Sequence, residues 1–398
     1  MRDSERVQRI QDSLREHNLD ALVCALPAYV LMISGYWPVV GTSLAVASAA
    51  GEIALVVPED EEGLAQTGGA DRIITYQPVT LAEMRRVSKA AVGPLHTAIA
   101  ELGLERAAIG FEWGEASEPA SYASMHLFGG SINDVLSSAA PAAMLRAADD
   151  VIAQLAAVKT AYEVERIRRA CHIAGYAFDT GVERVIAGSS EAEVAAAFAV
   201  PLSTAGLRYE GVERADGFVF CMSGPNSAKA FGAYARTRTR SLETGDLVLV
   251  HCNSYADGYW TDITRTYHLG ETGERVEAMY SAVFAARHAA LMAIRPGVKA
   301  SEVDAVARDV LRDHGFAKEC KHGIGHGVGF AAISANAIPR IHPACEDSLE
   351  TGMVFNIEPA IYIDGFGGLR HCDMVAVTPA GAEVLTDFQT HPAALQIV

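Results

Sequence analysis

Histidine, acidic and thiol side chains gather in a few short segments of this chain. SGPNSA (223–228) is followed by ETGDLVLVHCNSYADGYWTDITRTYHLG (243–270), HGIGHGVGF (322–330), ETGMVFNIEPAIY (350–362) and GGLRHCDMVAVT (367–378). Imidazoles, carboxylates and a thiol together suit two chemistries: holding a divalent cation, or moving protons during hydrolysis. A thiolate among His and carboxylates favours zinc or a similar borderline ion over magnesium or calcium. Such an ion makes water a usable nucleophile near neutral pH. The glycines of GHGVG let backbone run close to such a site, and SGPNSA has the composition of a turn. Neither forms a phosphate cradle, because the GxxxxGK[ST] pattern is absent.

In this order the segments resemble the catalytic domain of the aminopeptidase P, prolidase and creatinase family, from about residue 160 to the C-terminus. DALVCALPAYVLMISGY (20–36) is similar to that family's N-terminal domain. The resemblance implies an α+β protein: an N-terminal mixed α/β domain over residues 1–158 and a C-terminal pita-bread domain over residues 159–398. It also implies a homodimer in which one subunit's N-terminal domain caps its partner's site. Peptidases of the family bind two metal ions through two Asp, one His and two Glu. Carried over position by position, the second Asp falls on Asp262, the His on His326 and the first Glu on Glu358. The first Asp position, eleven residues before Asp262, holds His251. The last Glu position, two residues after Arg370, holds Cys372. Asp257 and Asp373 are the nearest carboxylates, but a slip of one residue turns a strand side chain to the opposite face. The proton-shuttling His eight residues after Ser223 is replaced by Phe231, and the His seven residues after His326 by Ile333. Neither side chain can hydrogen-bond a scissile group. His322 matches a His that aminopeptidase P-like enzymes carry four residues before the metal-binding one.

These changes leave several readings open. One is a remodelled mononuclear site, holding one divalent transition metal such as Zn through Asp262, His326, Glu358 and Cys372, with His251 as fifth ligand or general base. A second is a metal-independent, creatinase-like hydrolase in which His322, His326, His251 and Glu358 act as acid and base while Arg370 grips a carboxylate bidentately. The Glu that creatinase-type enzymes place at the Thr of D-x-T-R-T is, however, Thr264 here. An ordinary Xaa-Pro peptidase is a third reading, and a catalytically inactive pita-bread binding module a fourth. Against decay, His and Cys at the changed corners are themselves good ligands. The expected reaction is hydrolysis of an amide or related C–N bond in a small carboxylate-bearing molecule or peptide, and Phe231 and Ile333 suit a more apolar one. Arg265 is expected near the site by resemblance, and Cys252 should point away from it if His251 points in. His342 and Cys345 read as structural loop residues.

These groups need elements to position them. Residues 4–17 have the apolar spacing of a helix, and short apolar runs at 21–25, 43–49, 53–57, 73–76 and 107–111 alternate with helical stretches such as 81–102. That alternation predicts a mixed sheet with helices around it. A helix is expected from residue 161 through residue 188, and another behind the capping residues Ser189 and Ser190. Helices at 274–295 and 301–314 are joined by Pro296 and Gly297. Strands are expected at 218–222, 247–253, 263–269, 354–357 and 374–378. Two helix-pair-then-strands halves sharing one curved sheet follow from that order.

Composition narrows the partners. Of 398 residues half are hydrophobic and a fifth charged, as in a compact globular protein. A net charge of −17 argues against nucleic acid, whose phosphates need clustered Lys and Arg. The apolar stretch 21–33 is too short to span a bilayer and contains Pro27, so no membrane partner is expected. The charged amphipathic start is unlike a signal peptide. Seven scattered cysteines without a CxxC pair predict reduced thiols and a cytoplasmic location.

Overall fold

The computed structural model describes residues 2–39, 43–77, 80, 84–114, 129–232, 236–333 and 337–397. Backbone packing divides the chain into two compact units, Met1–Ala156 and Ala157–Val398.

In the first unit the apolar runs fold as strands β1 (Ala21–Cys24), β2 (Leu44–Ser48), β3 (Ile53–Pro58), β4 (Arg72–Tyr76) and β5 (Ala108–Phe111), joined by β6 (Met144–Ala147) in the order β4-β3-β2-β1-β5-β6. Pairing is antiparallel at β1–β2 and β2–β3 and parallel elsewhere, so the sheet is mixed, as predicted. Every residue of β1, β2 and β3 is buried, as uninterrupted apolar strands require when both faces are covered. One face packs on Leu95 and Ile99 of the Val92–Glu101 helix and on Leu136 of the Gly129–Ala139 helix. The helix expected over 81–102 is broken. Residues 81–83 lie outside the described residues, and Val87–Ala90 and Val92–Glu101 are separate helices. Pro94 accounts for the break: its ring collides with the carbonyl four residues back, at Ala90, so the helix must restart.

In the second unit capping boxes at Thr160–Glu163 and Ser190–Glu193 open the helices Ala161–Gly181 and Glu191–Gly206. Each satisfies backbone N–H groups that a helix start leaves bare. The first helix stops at Gly181 rather than residue 188, since Gly181, Val182, Val185 and Ile186 are weak helix formers; the chain tightens into a 3₁₀ turn at Val182–Arg184. The second helix pair is Glu274–Ala293 and Ala300–Asp313.

The strands are β7 (Ala215–Ser223), β8 (Leu247–Ala256), β9 (Tyr259–Trp260), β10 (Ile263–Leu269), β11 (Gly325–His326), β12 (Arg340–Ile341), β13 (Val354–Ile357), β14 (Ala360–Ile363), β15 (Gly367–Arg370), β16 (Asp373–Thr378), β17 (Gly381–Val384) and β18 (Gln396–Ile397). They do not form the single shared sheet expected. A β18-β10-β8-β7 ladder with β9 beside β8, a β13-β16-β17 ladder and the pairs β14-β15 and β11-β12 are separate. Isolated bridges at Thr264–Cys372 and Gly327–Phe355 stitch them together. The ladders break at Glu358-Pro359, where proline has no N–H to donate, and at His371-Cys372. Glu358 and Cys372 therefore sit in the interruptions. Among the described residues no helix is long and apolar enough to cross a membrane, and all seven cysteines are free thiols.

Candidate metal centre and active site

Asp262 sits just ahead of β10 at 1% exposure. Across the ladder His251 on β8 is in register with Thr264 on β10 and with Phe220 on β7, and the Phe220 ring stacks on the imidazole at 6.3 Å between centroids. The Thr264–Cys372 bridge brings β10 against the segment after β15: Cys372 N–H donates to Thr264 O at 3.0 Å and Thr264 N–H to Cys372 O at 3.3 Å. The Cys372 thiol lies 3.2 Å from Asp262 O and 3.6 Å from its Oδ1. Asp262, Glu358 and Cys372 offer donor atoms within 4.8 Å of one another, the one such group of candidate metal donors among the described residues. His326 Nε2 stands outside that group but lies 3.5 Å from Asp262 Oδ2.

Hydrogen-bond accounting assigns the tautomers. His326 Nδ1 donates to Gly327 O at 3.2 Å, so Nε2 is left facing the Asp262 carboxylate and the Asn356 amide. A lone pair and a carboxylate facing each other require a cation between them, either a proton or a metal ion. Without a metal the proton serves. Burial opposes charge on His326, but its bond to and attraction by Asp262 raise the imidazole above its ordinary value. Burial likewise pushes Asp262 up, yet His251, His326 and Arg370 outweigh it and hold the carboxyl below the usual range. Burial, then the negative charges of Asp262 and Glu358, push the Cys372 thiol well up. The donor set suits a divalent ion: two carboxylates and a thiol converge within 4.8 Å, an imidazole lone pair lies against one of the carboxylates, and all are buried or nearly so.

His251 behaves differently. Arg370 Nε only donates and reaches Thr264 Oγ1 at 3.0 Å, so the Thr264 hydroxyl is free to donate to His251 Nδ1 at 3.0 Å. Nε2–H then donates to Asn253 Oδ1 at 3.1 Å. Both ring nitrogens are engaged, although Asp262 Oδ1 is only 3.6 Å from Nδ1. Burial lowers the imidazole's pKa and keeps it neutral.

Arg370 Nη1 lies 3.5 Å from Glu358 Oε2, and its Nε bonds Thr264 Oγ1. Arg370 is thus tied to protein groups. His322 donates from Nδ1 to Gly323 O at 2.6 Å and accepts at Nε2 from the Tyr362 hydroxyl at 3.0 Å; burial lowers its pKa and keeps it neutral. Phe231, half exposed, lays its ring against Tyr362 at 5.6 Å between centroids. Ile333 lies partly buried in a bend.

Other residues lie elsewhere. Asp257 pairs with Arg166 and caps the backbone at Glu213 and Arg214. Asp373 is locked between Arg265 and Arg287. Arg265, expected near the site, turns its fully buried guanidinium into the core and bonds Thr264 O, Cys372 O, Asp373 and Thr386 O. His342 is an exposed loop residue accepting from Ala344 N–H, and Cys345 bonds Asp347. The sequence reading missed Asn356, Asn253 and Tyr362. Two had a signal: Asn356 precedes Glu358 by two and Asn253 follows His251 by two, the spacing that shares a strand face.

The Metallopeptidase family M24 pattern matches residues 165–379, and the Creatinase/Prolidase N-terminal domain pattern matches residues 6–126. The chain is 36% identical to the "Xaa-Pro dipeptidase" of Pyrococcus furiosus over 60% of this chain and 65% of that protein. It is 36% identical to the "Probable dipeptidase PepE" of Mycobacterium bovis over 72% of this chain and 75% of that one. The solved structure titled "Prolidase from Pyrococcus furiosus" superposes with a TM-score of 0.74 at 27% identity, covering 95% of this chain and 99% of that chain. Fold and motif order agree with the pita-bread expectation, and the chain is a hydrolase belonging to Metallopeptidase family M24 with a creatinase/prolidase N-terminal domain.

Proposed function

We propose that this M24 hydrolase cleaves an amide or related C–N bond in a small carboxylate-bearing substrate, at a site built for one divalent transition ion such as Zn²⁺ rather than a pair. The observation that carries this reading is the His326–Asp262 contact, where two acceptors 3.5 Å apart face a cation's place with Glu358 and Cys372 beside them. Asp262, His326, Glu358 and Cys372 hold the ion. Bound there, it supplies Lewis-acid polarisation of the scissile carbonyl. His251 takes no part as a ligand, since both its nitrogens are hydrogen-bonded. Its neutral ring fills a corner that a second ion would need as a carboxylate.

Glu358 accepts the proton of the attacking water, and Arg370 stabilises its ionised form at 3.5 Å. Protonated Glu358 then passes that proton to the departing nitrogen, while neutral His322 and Tyr362, hydrogen-bonded to each other at 3.0 Å, line the site as fixed polar groups. The phenol stays protonated because burial pushes it up. Phe231 and Phe220 give the site apolar walls. Relatives named as Xaa-Pro dipeptidases make Xaa-Pro dipeptides the first class to try, followed by acylated and cyclic amino acids. The reading includes a homodimer in the cytoplasm.

The test is metal analysis of protein purified without chelator, paired with that substrate screen in the presence and absence of Zn²⁺ and Mn²⁺. About one ion per chain and Zn²⁺-dependent turnover are expected. Two ions per chain with Mn²⁺-dependent Xaa-Pro cleavage would return the protein to ordinary prolidase chemistry. Turnover without metal would favour the creatinase-like route.

A further inference from the structure

Asn356 occupies a place between two of the proposed ligands. It is fully buried on β13. Its Oδ1 accepts the His326 backbone N–H at 2.6 Å. Its Nδ2 lies 3.5 Å from Cys372 Sγ and 3.4 Å from His326 Nε2. An amide nitrogen can only donate, so it points a hydrogen at the sulfur, while the single Nε2 lone pair of His326 stays assigned to the ion. Gly325 makes this approach feasible: a Cβ there would meet Asn356 O at 1.9 Å and Oδ1 at 3.0 Å.

We propose that Asn356 is a positioning residue for the ion, orienting His326 through its carbonyl and donating a hydrogen bond to the Cys372 thiolate through its amide. This rests on the single-ion reading above. A buried thiolate is a strong electron donor, and a hydrogen bond to sulfur withdraws part of that donation, leaving the ion a stronger Lewis acid. Polar groups behind metal ligands typically change affinity 10–100-fold when removed.

The experiment uses the full-length protein loaded with Co²⁺. Sulfur-to-cobalt absorption reports the thiolate directly, and metal affinity is measured by competition with a chelator. Asn356→Asp keeps the acceptor for the His326 N–H and replaces the donor facing sulfur. Asn356→Ser is the second variant, small enough for the same space should the first misfold. Expected results are a sulfur-to-cobalt band in the unaltered protein that vanishes in Cys372→Ser, moves to lower energy in both Asn356 variants, and comes with about tenfold or greater loss of affinity. An unmoved band with affinity within about twofold overturns the role of Asn356 while leaving the single-ion reading intact. Absence of any such band in the unaltered protein, with Cys372→Ser binding equally well, overturns both.

Discussion

Thr264 and Cys372 are paired by two backbone hydrogen bonds, of 3.0 and 3.3 Å, between chain segments remote in sequence. This bridge sets the thiol beside Asp262 and also places Thr264 Oγ1 between Arg370 and His251. One contact therefore separates the two changed corners: the thiol lies among the carboxylates of Asp262 and Glu358, while the imidazole is used up by hydrogen bonds. Cys372→Glu with His251→Asp should restore a pair of carboxylates and raise metal content from about one ion per chain to about two. Plasma emission analysis of the dialysed proteins decides it, and unchanged stoichiometry removes the assignment of these corners.

Arg265 guards the bridge from behind. It donates to both bridge carbonyls and neutralises the fully buried Asp373. Replacing it with Met removes a second donor from each bridge carbonyl and takes away one of Asp373's charge partners, a change that costs ~3–5 kcal/mol when a buried pair is broken. Denaturant unfolding should show a loss of that size, and a loss below about 1 kcal/mol would contradict the staple.

Glu358→Gln should lower kcat by about 10²–10⁴-fold, the usual worth of a general base, while ion binding weakens less than in His326→Ala. His326→Ala should abolish turnover altogether. Rates on whichever substrate the screen identifies test both, and a Glu358→Gln enzyme near full activity would move the base elsewhere.

The first unit carries its own titration. Glu112 is buried, accepts from the backbone N–H of Ala25 and of Leu26, and has an Oε2 without a hydrogen-bond partner among the described residues. Burial, with help from the charge of Asp149, pushes its carboxyl from 4.5 up to about 8. Between these values the folded state holds the proton that the unfolded state has lost, so stability is fully present below 4.5 and declines until about 8. Glu112→Gln keeps the Oε1 acceptor and should flatten that decline. Urea unfolding at about pH 5 and about pH 9 reads the slope, and parallel profiles for the two proteins would end the argument.

Phe231 and Ile333 stand where the family resemblance places proton-shuttling imidazoles. On the Cys372→Glu, His251→Asp background, Phe231→His with Ile333→His should create Xaa-Pro dipeptide cleavage that neither pair of changes yields alone. Hydrolysis of such a dipeptide with Mn²⁺ is the assay, and cleavage by the unaltered protein at the same rate would show that the apolar pair has no bearing on specificity.

The sequence determined the family, the two-part α+β order, most helices and strands, and the identity of the residues at the ligand positions. Those are legible because ordered motifs, capping boxes and short apolar runs are local patterns. It misplaced the helix over 81–102 and the end of the Ala161–Gly181 helix, where proline, glycine and β-branched residues override the broad pattern. It also joined the strands into one sheet, passing over Pro359 as a ladder break, and the break at His371-Cys372 has no comparable mark in the sequence. Only the tertiary structure decided that His251 is saturated by Thr264 and Asn253, that Arg370 serves Glu358, and that Asn356 reaches Cys372. Hydrogen bonding depends on ångström distances between groups far apart along the chain, and residue spacing carries no such distances.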